Sequence, residues 1–308
     1  MIVLWGVLGD GPLQAVYSAL RARGSPIFLL DQHEIRRAAM DLWVDTQVGG
    51  TLRSGSEAVA LDAVTAIYVR PYDARRIPAL QGFRADTPLW RHALALDDAM
   101  QAWCDVTPAL VVNRLSAMGS NSSKAHQAAL IRSAGFDIPD TLITTSPGVA
   151  LEFCDQHESV IYKSISGVRS IVSRLGPQHR VRLDDIGNCP TQFQQYIGGT
   201  DCRVHVVGNE IFACDIISMA DDYRYASRRG LDVTIRSCVL EPELARRCTG
   251  LASALDLAVA GIDLRRSPDG RYYCFEVNPS PGFTFYQEAT GQKIAEAIAR
   301  LLREGCAS

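Results

Sequence analysis

The chain has 308 residues, 47% apolar and 21% charged, enough for two or three small modules or one large domain with real cores. A formal net charge of -3 and an isoelectric point near 6.1 argue against nucleic acid as the main partner. No apolar run approaches membrane-spanning length, and MIVLWGVLGDG lacks the basic start of a signal peptide, so it reads as a first strand of a cytoplasmic protein.

Strand, turn, helix and strand follow in IVLWGVLGDGPLQAVYSALRARGSPIFLLD, a right-handed βαβ start. Further strands are expected at 66–70 (AIYVR) and 109–113 (ALVVN), with a helix over Leu89–Cys104 between them. Residues 1–115 are thus expected to form a small parallel-sheet layer. A helix capped by Ser120 or Asn121 and closed by Gly135 comes next, then one capped by Ser146 with Pro147 at its first position. Between Val160 and Ile197 the pattern turns to β, in VIYKS, SIVSRLG and TQFQQYI. DCRVHVV and IFACDIIS flank a Gly208-Asn209 turn and predict a hairpin. A basic loop (221–232), a helix over Glu241–Val259, a second hairpin (261–278) and the helix TGQKIAEAIARLL complete the chain.

Nine cysteines, odd in number and scattered without a C-x-x-C pair, read as reduced core residues rather than a disulfide framework. The six histidines form no H-x-x-x-H pair, which argues against a zinc site.

The last hairpin carries chemistry. In GIDLRRSPDGRYYCFEVN a turn centred on Pro268 and Asp269 sets Asp263 opposite Cys274, so that Asp263, Glu276 and Asn278 share one face. Diagonal neighbours lie about 7 Å apart at Cα, within reach of a shared cation. Hard oxygen donors suit Mg²⁺, one or two ions, with Mn²⁺ as a substitute. The ordinary alternative is a solvated outer face, and a one-residue slip in the turn would undo the arrangement.

GIDL followed by E-x-N-x-x-P-G resembles the metal-binding hairpin of ATP-grasp ligases, in particular the RimK-like branch. VIYKSISG, FQQYIGGTDCRVHVVG, DDYRYASRRG and SSKAHQAALIRSAGFDIPDTLIT resemble other segments of that family in the same order, over residues 105–308. YVRPYD and NPSPGFTFYQEATGQKIAEAIARLL are similar to segments of the microviridin-type (graspetide) peptide maturases. The resemblance implies an α/β protein with α+β modules: a Rossmann-like pre-ATP-grasp domain (1–115), a small central lid (116–198) and a C-terminal subdomain with the metal site (199–308).

It also implies roles. Lys124 and Lys163 would meet nucleotide phosphates, with Ser166 and Gly167 in a phosphate loop whose single glycine implies either a looser grip or the involvement of Arg169. The Gln195 carbonyl and Ile197 amide would hold adenine, in a hinge reading Gln194-Gln195 where the family usually has Q-E. Asp201 would accept from ribose hydroxyls. Arg203, Arg224 and Arg229 would contact the γ-phosphate, the acyl phosphate or an acidic substrate, in a loop that also holds Arg228 and has Ala226 where the family has Asn. The implied reaction uses ATP to turn a carboxylate into an acyl phosphate, releases ADP, and joins the acyl group to an amine or hydroxyl with loss of phosphate. The carboxylate would belong to an acidic peptide or protein, or else to a small amino acid or peptidyl acid, and a homodimer is allowed. Two other readings stand beside this one. Gly9-x-Gly11 after a strand, with Asp31 twenty residues on, suggests an NAD(P)-binding oxidoreductase, although Pro12 removes a donor where phosphate would need one. The third is a nucleotide-binding protein without catalysis.

Overall fold

The computed structural model describes residues 1–305 except 47, 74, 75, 78, 79, 85, 166–171, 219–222, 224–229 and 231. The chain opens with β1 (Ile2–Gly6), α1 (Gly11–Ala22) and β2 (Ile27–Asp31), the expected βαβ unit. Pro12 starts α1 without needing a donor, and the Asp10 carboxylate accepts from the Leu13 amide at 3.0 Å. Three short strands come next: β3 (Ala38–Val44), β4 (Val48–Ser54) and β5 (Glu57–Ala60). They form an antiparallel sheet that the parallel-layer expectation for residues 1–115 did not include. β6 (Ala66–Arg70), α2 (Pro88–Val106) and β7 (Leu110–Val112) complete a parallel sheet of order β2-β1-β6-β7. Its strands are apolar on both faces because both are covered. Val3, Trp5 and Ile67 turn toward α2 and the small antiparallel sheet, while Ile2, Leu4 and Tyr68 turn the other way.

α3 (Leu115–Met118) leads into α4 (Lys124–Ser133), whose cap is Ser123 and not Ser120 or Asn121. Residues Gly119–Ser122 form a separate 3-10 turn, so the first free amide of the α-helix lies further on, where Ser123 Oγ accepts from the His126 amide. Gly135, at φ 81°, closes this helix as expected. The central elements are β8 (Thr141–Thr144), α5 (Pro147–Asp155), β9 (Val160–Ser164), β10 (Ser173–Arg174), α6 (Pro177–Arg180) and β11 (Thr191–Gln195). Their sheet runs β10-β9-β11-β8, and Val160 and Phe193 pack on Ala150 and Cys154 of α5.

The third sheet is antiparallel, in the order β14-β13-β12-β15-β16. β12 (Thr200–Val207) and β13 (Glu210–Ser218) flank Gly208 at φ 56°, the predicted hairpin. β14 (Val233–Cys238) is an edge strand absent from the sequence reading. α7 (Pro242–Ala254) stops five residues short of the expected Val259, which instead begins β15 (Val259–Arg266), paired with β16 (Tyr272–Asn278). One face of this sheet is a closed core of Val204, Ile262, Leu264 and Val277 against α4 and α7.

The expected C-terminal helix divides into α8 (Thr284–Thr290) and α9 (Ile294–Glu304), broken by Gly291 at φ 73°. Ile294, Ile298 and Leu302 recur every four residues on α9 and are buried with Leu13, Val16 and Leu20 of α1. The last helix thus shares a core with the first, and joins the N-terminal layer to the third sheet through Val207 and Val259.

Candidate active site

The last hairpin differs from expectation at two points that cancel. Its loop closes by a hydrogen bond from the Ser267 amide to the Arg271 carbonyl, with Gly270 at φ 87°. Three residues therefore span the turn instead of two, and Leu264, not Asp263, lies opposite Cys274. That slip alone would turn Glu276 to the far face from Asp263. A β-bulge at Phe275 absorbs the extra residue, so Asp263 pairs directly with Glu276 and Gly261 with Asn278. Ile262, Leu264, Cys274 and Val277 take the core face, which leaves Asp263, Glu276 and Asn278 together on the other.

Cations meet these carboxylates. Arg203 on β12 stands opposite Asp263, and its Nη1 donates to Asp263 Oδ1 at 2.6 Å. The guanidinium is buried at 5% exposure and lies 5.5 Å from the centre of the Tyr286 ring. Burial opposes its charge most, but the Asp263 carboxylate and the Tyr286 and Tyr223 hydroxyls together hold its pKa above the ordinary value. Arg203 Nε also donates to His205 Nε2 at 3.3 Å. Burial first, then the Arg203 charge, pushes His205 well below its ordinary value, so it is a neutral acceptor. The Tyr286 and Tyr223 hydroxyls lie 2.6 Å apart, and burial raises both phenols.

Glu276 has its own cation, Lys124 Nζ at 3.9 Å. That lysine is held by its neighbour on α4: Gln127 donates to the Val277 carbonyl at 2.8 Å and accepts from the Val277 amide at 3.0 Å. The side-chain amide completes the hydrogen bonding of edge strand β16 beside Glu276. Asn278 Oδ1 accepts from the Ser280 amide at 3.0 Å and keeps a second lone pair for another partner. Two carboxylates and an amide oxygen on one face are hard donors, and this set fits Mg²⁺.

Between the central and third sheets runs an open cleft lined by Lys163, Gln194, Tyr196, Asp201, Arg265 and Phe275, with Asp263 and Glu276 at its side. Lys163, Gln194 and Glu276 also border a second recess, walled by Lys124 and α4. Arg265 governs the hinge: its Nε donates to Asp201 Oδ1 at 2.7 Å and its Nη1 to the Ile197 carbonyl at 2.8 Å. The Gln195 amide donates to the Asp140 carbonyl. Gln194 donates to Thr141 Oγ1, while its own carbonyl oxygen is buried without a partner among the described residues. Ser166, Gly167, Arg169, Arg224, Ala226, Arg228 and Arg229 lie outside the described residues.

Sequence reasoning missed His205, Arg265 and Tyr286. Alternation would have found the first two: His205 continues the Asp201, Arg203 face of β12, and Arg265 follows Asp263 on β15. Tyr286 has no such signal, because only the turn after β16 brings α8 over Arg203.

The Gly9-x-Gly11 loop has another use. The Asp10 carboxylate caps the first turn of α1 and accepts from Arg70 Nε at 2.6 Å, while Arg70 Nη1 donates to Ser280 Oγ at 2.9 Å. A Cβ on Gly11 would meet Thr284 Oγ1 at 3.2 Å. A protein carboxylate and the C-terminal chain thus fill the place where a pyrophosphate would sit, against the oxidoreductase reading.

A model of the RimK-like ATP-grasp domain matches residues 121–302. A probable alpha-L-glutamate ligase of Aliivibrio fischeri (strain MJ11) is 26% identical over 208 residues, covering 64% of this chain and 68% of that protein. Among solved structures, the ATP-grasp ligase PsnB, complexed with a phosphomimetic variant of minimal precursor, Mg and ADP, superposes with a TM-score of 0.78 at 24% identity, over 98% of this chain and 97% of that one. The macrocyclase MdnC from Microcystis aeruginosa MRC, bound with precursor peptide MdnA, gives 0.80 at 21%, over 99% of both chains. These structures speak for the fold, and the domain match spans more than half the sequence. The chain belongs to the RimK-like ATP-grasp family and is an ATP-dependent ligase.

Proposed function

We propose that this ligase activates side-chain carboxylates of an acidic peptide and joins them to an amine or hydroxyl. The observation that carries the reading is the Asp263–Glu276 pair, set face to face beside an open cleft and flanked by Arg203 and Lys124. A peptide substrate is supported by likeness along almost the whole chain to PsnB and MdnC, both crystallised with precursor peptides.

The barrier in such a reaction is the approach of anions to one another. When bound, one or two Mg²⁺ (or Mn²⁺) held by Asp263, Glu276 and Asn278 supply positive charge against the polyphosphate. Lys163 and Lys124 add charge on the two sides of the cleft, with Ser166 and Gly167 giving backbone approach. The Gln195 carbonyl and Ile197 amide take the adenine edge beside Gln194, and Asp201, steadied by Arg265, accepts from the ribose. A substrate carboxylate then attacks the γ-phosphorus, giving an acyl phosphate and ADP. Arg203, Arg224 and Arg229 balance the charge on that group until a nucleophile attacks the acyl carbon and phosphate leaves. The central sheet, as a lid, keeps water from the acyl phosphate. A reducing cytoplasm suits the free cysteines, eight of them among the described residues, and none of the described helices is long and apolar enough to cross a membrane.

The test is a phosphate-release screen of carboxylate and amine or hydroxyl pairs, including acidic peptides encoded beside the gene. Phosphate and ADP are expected only when acid and nucleophile are both present, and Lys163→Ala is expected to abolish turnover without unfolding the chain. ATP with Mg²⁺ should raise the melting temperature. Turnover of a glutamate and amine pair in preference to any peptide would favour the second reading, which the name of the Aliivibrio relative supports. Full activity in Lys163→Ala would sink the site assignment.

A further inference from the structure

On the face of the third sheet turned away from the cleft, three ligand-type side chains converge. Cys202 on β12 pairs directly with Asp215 on β13. Cys238, at the end of β14, pairs with Ala213, two residues from Asp215 on the same face. The two sulfurs and a carboxylate oxygen all lie within 4.8 Å of one another. Cys202 is buried in the core, whereas Asp215 and Cys238 are half-buried, so the cluster has an open side.

We propose that Cys202, Asp215 and Cys238 form a site for a thiophilic divalent cation, Zn²⁺ by its ligand chemistry, independent of the Asp263, Glu276 and Asn278 set. A tetrahedral ion with Zn–S bonds of about 2.3 Å holds its ligand atoms roughly 3.5–3.8 Å apart, so the three atoms need only close in slightly. Three protein ligands leave a fourth position for water on the solvent side. Two thiolates select a soft or borderline ion and reject Mg²⁺, which takes oxygen ligands. The two sites therefore sort cations by donor type.

They also share no ligand. Arg203 faces Asp263 across β12 and β15, whereas Cys202, next in the chain, faces Leu264 on the core side. Arg236 is the residue directly opposite Asp215 on β14, and the ion pair recorded for Asp215 is with Arg266, whose Nη2 stands 3.9 Å away on a half-exposed side chain. A contact that loose yields readily to a divalent ion. Occupancy would tie the edge strand β14 to β12 across β13. It would thereby brace the strand that follows residues 219–231, immediately behind the Asp201 and Arg203 positions.

Cobalt separates this site from the oxygen site, because only sulfur ligands give a near-ultraviolet charge-transfer band. The reduced full chain, stripped with a chelator and kept in excess Mg²⁺, would be titrated with Co²⁺. The band is expected to saturate at a single equivalent, to vanish in Cys238→Ser and to bleach on adding Zn²⁺. In Asp215→Asn the affinity should fall by at least about tenfold, since a lost ligand costs no less than a lost supporting partner. Zn²⁺ should raise the melting temperature of the parent chain and not of Cys238→Ser. No band, or a band unchanged in both variants, would overturn the proposal. So would recovery of Cys202 and Cys238 joined as a disulfide from protein purified without reductant.

Discussion

Arg203 and Asp263 face each other on neighbouring strands and share a 2.6 Å hydrogen bond, and neither is placed by its own strand alone. The pair fixes the carboxylate beside Glu276 while neutralising part of the charge that two adjacent acids would otherwise carry. Asp263→Asn keeps an acceptor for Arg203 but removes the negative charge. Turnover is expected to drop by about 100-fold or more, ~3 kcal/mol of transition-state stabilisation. The melting temperature should stay close to the parent's, and steady-state phosphate release with a parallel thermal melt checks both.

Gly261 is the platform under that pair. A Cβ there would sit 2.2 Å from Arg203 Nη2 and 2.7 Å from Pro281 Cβ. Gly261→Ala is therefore expected to displace the guanidinium, destabilise the chain by about 1–3 kcal/mol and depress turnover. Denaturant melts alongside kinetics would read the two effects. A variant indistinguishable from the parent would show that Arg203 does not lie over Gly261.

Gln127 is expected to matter out of proportion to its place on a helix. Gln127→Leu leaves the Val277 amide and carbonyl without their partners in a buried setting. A loss of about 2–4 kcal/mol follows from two orphaned backbone groups. Hydrogen exchange should quicken at the Val277 amide first, and the Lys124–Glu276 approach should loosen with it.

The buried imidazole gives a pH signature. His205 in the folded chain is held well below its ordinary 6.5 by burial and by Arg203. Below 6.5 the unfolded chain binds a proton that the folded chain refuses, so stability falls as pH drops through that value and is unaffected by this group above it. His205→Gln retains an acceptor for Arg203. Its stability is expected to fall less steeply on acidification, by up to about 1.4 kcal/mol per pH unit below 6.5. Melting temperatures across that range for the two chains decide it, and parallel curves would contradict a neutral buried His205.

The sequence by itself determined whatever depends on local order: the βαβ opening, the Gly208 hairpin, the run of family motifs, and the alternation that puts Asp201 and Arg203 on one side of β12. Such features follow from periodicity and turn chemistry within a dozen residues. That Asp263, Glu276 and Asn278 share one face was read from a register that was wrong by one residue. The structure restores that face through a bulge at Phe275, which no alternation rule forecasts. β3, β4 and β5 were illegible because their stability comes from burial against the parallel sheet rather than from a clean period of two.

Tertiary structure alone decided which distant groups meet. α9 shares a core with α1, Arg70 reaches Ser280 across 210 positions, and Tyr286 comes to lie beside Arg203. The cysteines illustrate the reason most plainly. Cys202 and Cys238 lie on strands separated by β13, with a carboxylate from that strand between them in sequence, so no C-x-x-C spacing announces them. Chain spacing encodes contacts within an element. Contacts between elements depend on sheet order and register, which are set by how the whole chain buries its apolar faces.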